Sequence, residues 1–312
     1  MKLRFFPIFL AAALLSGCTD NTELGERAII EAAAIDCTEN GYHVSALLFS
    51  SGGESIDASK ENVIKVTGDG KTLAEAFDNI SLTDGKEIFL SEIKLIVLGG
   101  GFSDRTAVSA MNTLFYDMRC GLQTPVCCAQ NAEMLTDFLF TEGITSAEKP
   151  LDMLKNAKKQ GTSPMPVLLD ILCGAESEKS VLIPMFIETE NGYGMTSDDS
   201  GETAVLHGSR TMEQGLLTRY NNPEVTQGLL LISGETDRIF LNFFCENTEQ
   251  TCEAYSVKIT NIAQGNEYSF DVSARFRGRN NAALSEQMEA CAMAQLREII
   301  ALALPYSGSS FA

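Results

Sequence analysis

The chain contains no tryptophan and only two histidines, His43 and His207. Neither histidine belongs to an HExxH pattern or to a cysteine–histidine cluster, which argues against a zinc site. The sequence also lacks a GxSxG nucleophile motif and an obvious catalytic triad. These absences predict a binding or assembly protein rather than an enzyme, with no catalytic, cofactor-binding or metal-ligating residues.

Three acidic or glycine-rich segments resemble ligand-binding motifs but are incomplete. The segment 68–72 cannot be a phosphate-binding P-loop, because Lys65 occupies the position where the motif requires glycine. Its end instead forms a helix-capping box from Thr72 to Glu75. The glycines at 99–101 predict a turn, and Asp198 with Asp199 lacks the spacing of an EF-hand calcium loop.

Positive charge is scarce: 23 lysines and arginines stand against 42 acidic residues, for a net charge of -19. Phosphate backbones repel a polyanion of this size, so nucleic acid is excluded as an expected partner. Anionic lipid headgroups repel it as well. A further interpretation, that the acidity only keeps the protein soluble, stays open.

The apolar run at 5–15 is shorter than the roughly 20 residues that a membrane-spanning helix needs. It follows Lys2 and Arg4 and leads into Leu15-Ser16-Gly17-Cys18, which looks like a bacterial lipobox. We therefore predict a signal peptide at 1–17, cleavage before Cys18, and diacylglycerol and a fatty acyl chain such as palmitate on that cysteine. The alternative is an ordinary signal peptide with a chance cysteine.

The eight other cysteines do not form a recognisable disulfide framework. No CxxC occurs, and adjacent Cys127 and Cys128 are a poor disulfide pair. We expect mostly free, buried thiols and regard Cys245 with Cys252 as the one pair to test by mass spectrometry. The eight are Cys37, Cys120, Cys127, Cys128, Cys173, Cys245, Cys252 and Cys291.

Apolar periodicity predicts an α+β fold with two or three mixed α/β domains. After the signal peptide, an N-terminal domain, possibly of two subdomains, is expected at 18–190, a linker at 191–202 and a C-terminal domain at 203–312. In the N-terminal part we predict strands at 29–35, 41–49, 62–67, 88–98 and 181–190, and helices beginning near 72, 108, 131 and 150. In the C-terminal part we predict an antiparallel sheet from strands at 203–206, 228–232, 238–244, 254–261 and 268–276, packed by a long terminal helix at 281–304.

Several segments in order resemble the Ger(x)C family of spore germination lipoproteins. They are GKTLAEAF at 70–77, ISL at 80–82, GK at 85–86, Phe89 and IKLIVLG at 93–99, then TAVL at 203–206, GLL at 215–217 and GLLL at 228–231. The match departs from the family at Thr19, where tryptophan is common, and at Glu92, where histidine is common. Relatives usually continue past the last helix, so we expect the C-terminal domain to be shortened at its end.

The resemblance implies a non-enzymatic C subunit of a nutrient germinant receptor, needed for nutrient-triggered spore germination. Its implied partners are the integral membrane A and B subunits of the receptor, and the bilayer itself through Cys18. Its implied location is the extracytoplasmic face of the spore inner membrane. Two alternatives stay open: a substrate-binding lipoprotein of a transporter, which would have two lobes around a cleft, and an anchored hydrolase with an unrecognised site.

Overall fold

A computed structural model describes residues 27–50, 62–103, 107–142, 147–177, 179–190, 195–196, 202–264, 268–278 and 282–307. Within these ranges the chain forms one large mixed sheet, one small antiparallel sheet and the helices that cover them. The predicted signal peptide, the tether behind it and most of the predicted linker lie outside the described residues.

The large sheet has the strand order β10-β9-β7-β6-β5-β1-β2-β3, with β4 added beside β1 and β8 beside β9. In chain order its strands are β1 (Arg27–Thr38), β2 (Gly41–Ser50), β3 (Asn62–Gly70), β4 (Glu87–Phe89), β5 (Leu95–Leu98), β6 (Val126–Ala129), β7 (Val181–Glu190), β8 (Met195–Thr196), β9 (Glu202–Glu213) and β10 (Leu216–Asn221). Strands β1, β5, β6 and β7 are parallel neighbours, and antiparallel hairpin strands flank them on both sides.

Seven α-helices are described. They are α1 (Leu73–Asp84), α2 (Val108–Asn112, continued by a π-helical turn at Thr113–Asp117), α3 (Ala132–Glu142), α4 (Glu148–Lys159), α5 (Leu168–Ser177), α6 (Pro223–Ile232) and α7 (Glu286–Ala303).

The central strands are buried on both faces. Every residue of β5 and β6 is buried, and their side chains alternate between two apolar clusters on opposite sides of the sheet. Helices α1, α2 and α5 cover one face, and α3 and α4 cover the other. This is why the sequence of these strands is continuously apolar instead of alternating.

Helix α1 begins where the sequence predicts. The amide of Glu75 donates to the Thr72 hydroxyl at 3.1 Å, which caps the first turn. Gly85 ends the helix in the left-handed conformation, with φ at 74°. The Gly70 backbone lies directly against the first turn of α1, so the segment at 68–72 is packing surface rather than a loop open to phosphate.

The small sheet has the order β11-β12-β13 and is antiparallel throughout. Its strands are β11 (Ile239–Cys245), β12 (Thr248–Gln264) and β13 (Tyr268–Gly278). Helix α7 lies across the sheet, with Ala292, Leu296 and Ile300 in the shared core. The predicted fold class, including an antiparallel C-terminal sheet packed by a long terminal helix, is confirmed.

Two predicted elements are wrong. The apolar segment at 228–232, predicted as a strand, belongs to helix α6, which is capped by Asn222 and begins with Pro223. A short apolar run has the same composition in a buried strand and in a buried helix, so the periodicity does not separate them. The single strand predicted at 88–98 is two short strands, β4 and β5, which both pair with β1.

The sequence analysis also missed four short elements: β6, β8, β10 and α5. The division into domains stays a prediction. The structure adds that β9 and β10, which follow the predicted linker, pair within the large sheet before the chain turns to α6 and the small sheet.

Helix α6 joins the two parts of the fold through a close contact at Gly228. A β-carbon at this position would lie 2.4 Å from the Ala303 side chain and 2.6 Å from the Ile299 carbonyl oxygen of α7. Glycine therefore allows the two helices to approach so closely, and the contact places α7 over the small sheet.

We expect Gly228→Ala to lower the free energy of unfolding by about 1–3 kcal/mol, because α6 and α7 must separate to admit the methyl group. In an uncrowded helix the same change is stabilising by up to about 1 kcal/mol. Urea unfolding monitored by circular dichroism measures the difference. Gly121→Ala is the control, since its β-carbon would meet only the Thr124 hydroxyl at 3.5 Å. A stabilised Gly228→Ala protein would contradict the close packing of the two helices.

Candidate functional site

The predicted lipid-attachment residue, Cys18, lies outside the described residues. The structure therefore leaves its modification a prediction. The first described residue is Arg27, at the start of β1 in the centre of the large sheet.

A polar network lies at the opposite end of β1, where the parallel strands finish. We call it the carboxyl-edge network and define it as Asp36, His43, Lys65, Asp69 and Glu133. The Asp36 carboxylate accepts from the Ala132 amide at 3.1 Å, at the first turn of α3. His43 Nδ1 lies 2.7 Å from the Asp69 carboxylate, and Lys65 donates to Glu133 at 2.8 Å.

Two carboxylates of the network have pKa values that are shifted in opposite directions. Burial raises the pKa of Asp36, and the hydrogen bond from the Ala132 amide together with nearby His43 opposes part of that rise. The hydrogen bond from Lys65 lowers the pKa of Glu133. A half-buried carboxylate is thus held at a helix N-terminus, where the helix dipole favours negative charge.

The carboxyl-edge network is engaged with itself and with the backbone. Lys65 also bonds Asp137 on α3, and the Ser45 and Thr136 hydroxyls share a buried hydrogen bond of 2.7 Å. These contacts fasten α3 to the β2–β3 hairpin. Gly99 completes the packing, because a β-carbon there would overlap the Asp36 carboxylate. The arrangement positions a helix, and the groups beside the two nitrogens of His43 are the carboxylates of Asp69 and Glu133.

The second histidine is on β9. His207 Nδ1 lies 2.5 Å from the Tyr220 hydroxyl of β10, and the two rings are stacked with their planes 9° apart. The pair is a cross-strand contact of the sheet. Within the described part of the chain, no three cysteine, histidine or acidic side chains come together as a metal site.

The described cysteines are all free thiols. Cys127 and Cys128 point to opposite faces of β6, which is why the adjacent pair does not bridge. Burial raises the pKa of Cys128 to about 12 and raises that of Cys127 as well. Such thiols are inert, because the thiolate is the reactive form.

A cavity of about 540 Å³, lined in part by charged side chains, opens beside Arg27 at the start of β1. The Arg27 guanidinium lies over the Phe89 ring, 5.0 Å from its centre. Asp78 of α1 and Arg119 also line the cavity. Arg119 has a φ of 56°, a backbone conformation that side chains rarely adopt. The sequence analysis missed this cavity, since its residues come from four separate segments and form no motif.

A helix long and apolar enough to cross a bilayer does not occur in the ranges that the structure describes.

Comparison with known proteins identifies one family. Residues 20–188 match the model for the spore germination protein N-terminal domain. A search of the curated proteins found no match. The crystal structure of the GerBC protein aligns with 86% of this chain and 79% of its own, at 16% sequence identity and a TM-score of 0.47.

We expect Asp36→Asn to gain stability relative to wild type as pH rises. The folded pKa of Asp36 exceeds its unfolded value, so between the two values the native state binds more protons than the unfolded state. The wild-type free energy of unfolding therefore falls as pH rises through this window, whereas asparagine cannot ionise. Urea unfolding from about pH 3 to neutral pH measures the divergence.

The matched control is Asp78→Asn, at an exposed position of α1. The difference in free energy of unfolding between Asp78→Asn and wild type should not change with pH as it does for Asp36→Asn. A constant difference between Asp36→Asn and wild type at every pH would show that burial does not govern the Asp36 carboxyl.

Proposed function

Because this chain belongs to the family of spore germination proteins whose N-terminal domain it contains, we propose that it is the C subunit of a nutrient germinant receptor. In this proposal it is a non-enzymatic lipoprotein, held by lipid on Cys18 at the extracytoplasmic face of the spore inner membrane. It acts with the integral membrane A and B subunits of the receptor. The family match over residues 20–188 carries the proposal.

The position of the family match supports the anchor. The matched region begins at residue 20, two positions after Cys18, so the lipobox directly precedes the family domain. Anionic headgroups repel a chain of net charge -19, and burial of acyl carbons at roughly 0.8 kcal/mol each would offset that repulsion.

The start of β1 supports an orientation for the protein on the membrane. Eight residues, 19–26, link Cys18 to Arg27, and fully extended the nine steps between the two reach about 30 Å. With Cys18 in the bilayer, this reach keeps the end of the large sheet that holds the Arg27 cavity within about 30 Å of the membrane. We propose this end, including Phe89 and Arg119, as the region closest to the A and B subunits.

The architecture favours this proposal over a transporter's substrate-binding lipoprotein. Such proteins have two α/β lobes around a cleft. Here the described strands form one continuous large sheet and a small three-stranded sheet that α7 covers. The residues that the structure describes include no second α/β lobe to close over a solute.

We expect Cys18→Ala to abolish lipid attachment and to release the chain from membranes. The substitution removes the sulfur that would carry diacylglycerol, and the acidic body has no comparable attraction to anionic lipid. Membrane fractionation without the A and B subunits, together with labelling by a fatty acid analogue, measures the effect. Cys173→Ala is the control, because Cys173 is an exposed cysteine on α5. A Cys18→Ala chain that stays labelled and membrane-bound would contradict the anchor.

We expect deletion of the gene to abolish germination with at least one nutrient and to leave vegetative growth normal. The loss of optical density and the release of ions from spores measure the response. Wild-type complementation should restore it fully, and Gly121→Ala, which changes no crowded position, should do so equally. Unchanged germination with every nutrient tested, in spores that contain the A and B subunits, would contradict the proposed role.

A further inference from the structure

Two cysteines that are far apart in the sequence meet in the core between the small sheet and α7, which we call the C-terminal unit. The sulfur of Cys291 on α7 lies 2.9 Å from the sulfur of Cys245 on β11, across 46 positions of sequence. A disulfide would require the sulfurs to approach by only about 0.9 Å. Cys245 is buried and Cys291 is partly exposed, so solvent reaches the pair through Cys291.

The backbone around each cysteine is independently constrained. Cys245 is the last residue of β11 and pairs with Thr248 across a two-residue turn in which Glu246 and Asn247 both have positive φ. Turns of this type set the register of a hairpin closely. Cys291 lies in the second turn of α7, which begins at the Ser285 cap and packs on α6 through Gly228. The contact between the sulfurs is therefore a product of ordered elements.

The pair selected from the sequence, Cys245 with Cys252, is separated by the register of the hairpin. Cys252 stands opposite Leu241, four residues along β11 from Cys245. At about 3.3 Å per residue this offset is roughly 13 Å along the strand. Disulfides need Cα atoms within about 4.4–6.8 Å, so the two cannot bridge in this fold.

We propose that Cys245 and Cys291 are a redox site: they form a reversible disulfide that ties α7 to the hairpin of β11 and β12 when the protein meets a disulfide oxidant. The oxidant class is a small-molecule disulfide or the active-site disulfide of an exported thiol oxidoreductase. The cellular setting rests on the proposed function, since export brings the chain to a compartment where disulfides persist.

The reaction balances as two thiol–disulfide exchanges. Cys291, the more accessible thiol, loses its proton to solvent, and its thiolate attacks one sulfur of the oxidant. The oxidant's sulfur–sulfur bond breaks, one oxidant thiolate leaves, and a mixed disulfide forms on Cys291. Cys245 then gives its proton to solvent and attacks the Cys291 sulfur, expelling the second oxidant thiolate. Two protein thiols are oxidised and one oxidant disulfide is reduced to two thiols.

The first exchange starts at Cys291 because Cys245 is a poor nucleophile. Its contact with Cys291, together with burial, raises the pKa of Cys245 to about 11. Cys245 therefore reacts once a mixed disulfide is placed against it, as a resolving thiol does. The buried thiols of β6 differ in this respect, because Cys127 and Cys128 point to opposite faces of the sheet.

The test uses the full mature chain, purified in detergent, reduced with dithiothreitol and equilibrated in glutathione buffers of increasing disulfide fraction. Remaining thiols are alkylated, and the protein is digested with trypsin. Cys245 and Cys252 fall in one tryptic peptide, 239–258, and Cys291 falls in another, 280–297. Cutting after Glu246 and Glu249 with a glutamyl endopeptidase then separates Cys245 from Cys252.

We expect one cross-linked species that joins the Cys245 fragment to the Cys291 peptide. We also expect the melting temperature of the oxidised protein to rise by about 5 °C, because closing a loop of this length restricts the unfolded chain. Cys252→Ser is the matched control and should keep both effects. Cys245→Ser and Cys291→Ser should lose both.

Three results would overturn the proposal: no cross-link at any buffer composition, an intrapeptide link between Cys245 and Cys252, or a cross-link that persists in Cys291→Ser. The peptide assay on wild-type protein decides the matter even where a serine variant folds poorly. The assay does not depend on germination. A chain that cross-links but proves dispensable for germination would contradict the receptor role alone, and a germination protein without the cross-link would contradict this proposal alone.

Discussion

Burial of the central strands on both faces is the constraint on which the rest of the structure depends. Strands β5 and β6 have no solvent face, so helices must cover the sheet on both sides. Those helices must follow parallel strands, because parallel neighbours need crossover connections long enough to hold a helix. For this reason the sequence alternates apolar strands with amphipathic helices along 73–177.

The carboxyl-edge network follows from the same constraint. Parallel strands that end together bring their following helix and loop to one edge, which in many α/β proteins opens as a binding crevice. Here Asp36 fills that edge by accepting from the first turn of α3, and Gly99 leaves room for its carboxylate. The position that favours a ligand in other folds is used in this chain to fasten a helix.

The sequence predicted those parts of the fold that carry long or well-capped patterns. Helix α1 was located by its capping box, β7 matched its predicted range, and α7 was placed by one apolar stripe. Prediction failed for short apolar runs, where a buried helix and a buried strand have the same composition. The Asn222 cap and Pro223 in the first turn were the available signals for α6.

The candidate functional sites also separate into those that a contiguous sequence pattern predicts and those that it does not. Cys18 was predicted from a contiguous pattern, and it stays a prediction because it lies outside the described residues. The Arg27 cavity and the contact between Cys245 and Cys291 depend on residues far apart in the chain, so no local sequence pattern predicts them. The sequence analysis named Cys252 as the partner of Cys245 to test, whereas the hairpin register separates these two and the fold brings Cys291 of α7 to Cys245.

The order of elements in the C-terminal unit has a consequence for a polypeptide threaded through a membrane from its N-terminus. The strands of the small sheet arrive first, and the helix that covers their apolar face arrives last. Until α7 follows, Leu241, Phe243 and Ala254 lack the Leu296 and Ile300 side chains that share their core in the finished fold. If the chain is exported as proposed, it therefore passes through a stage at which the apolar face of the small sheet is open to an extracytoplasmic chaperone.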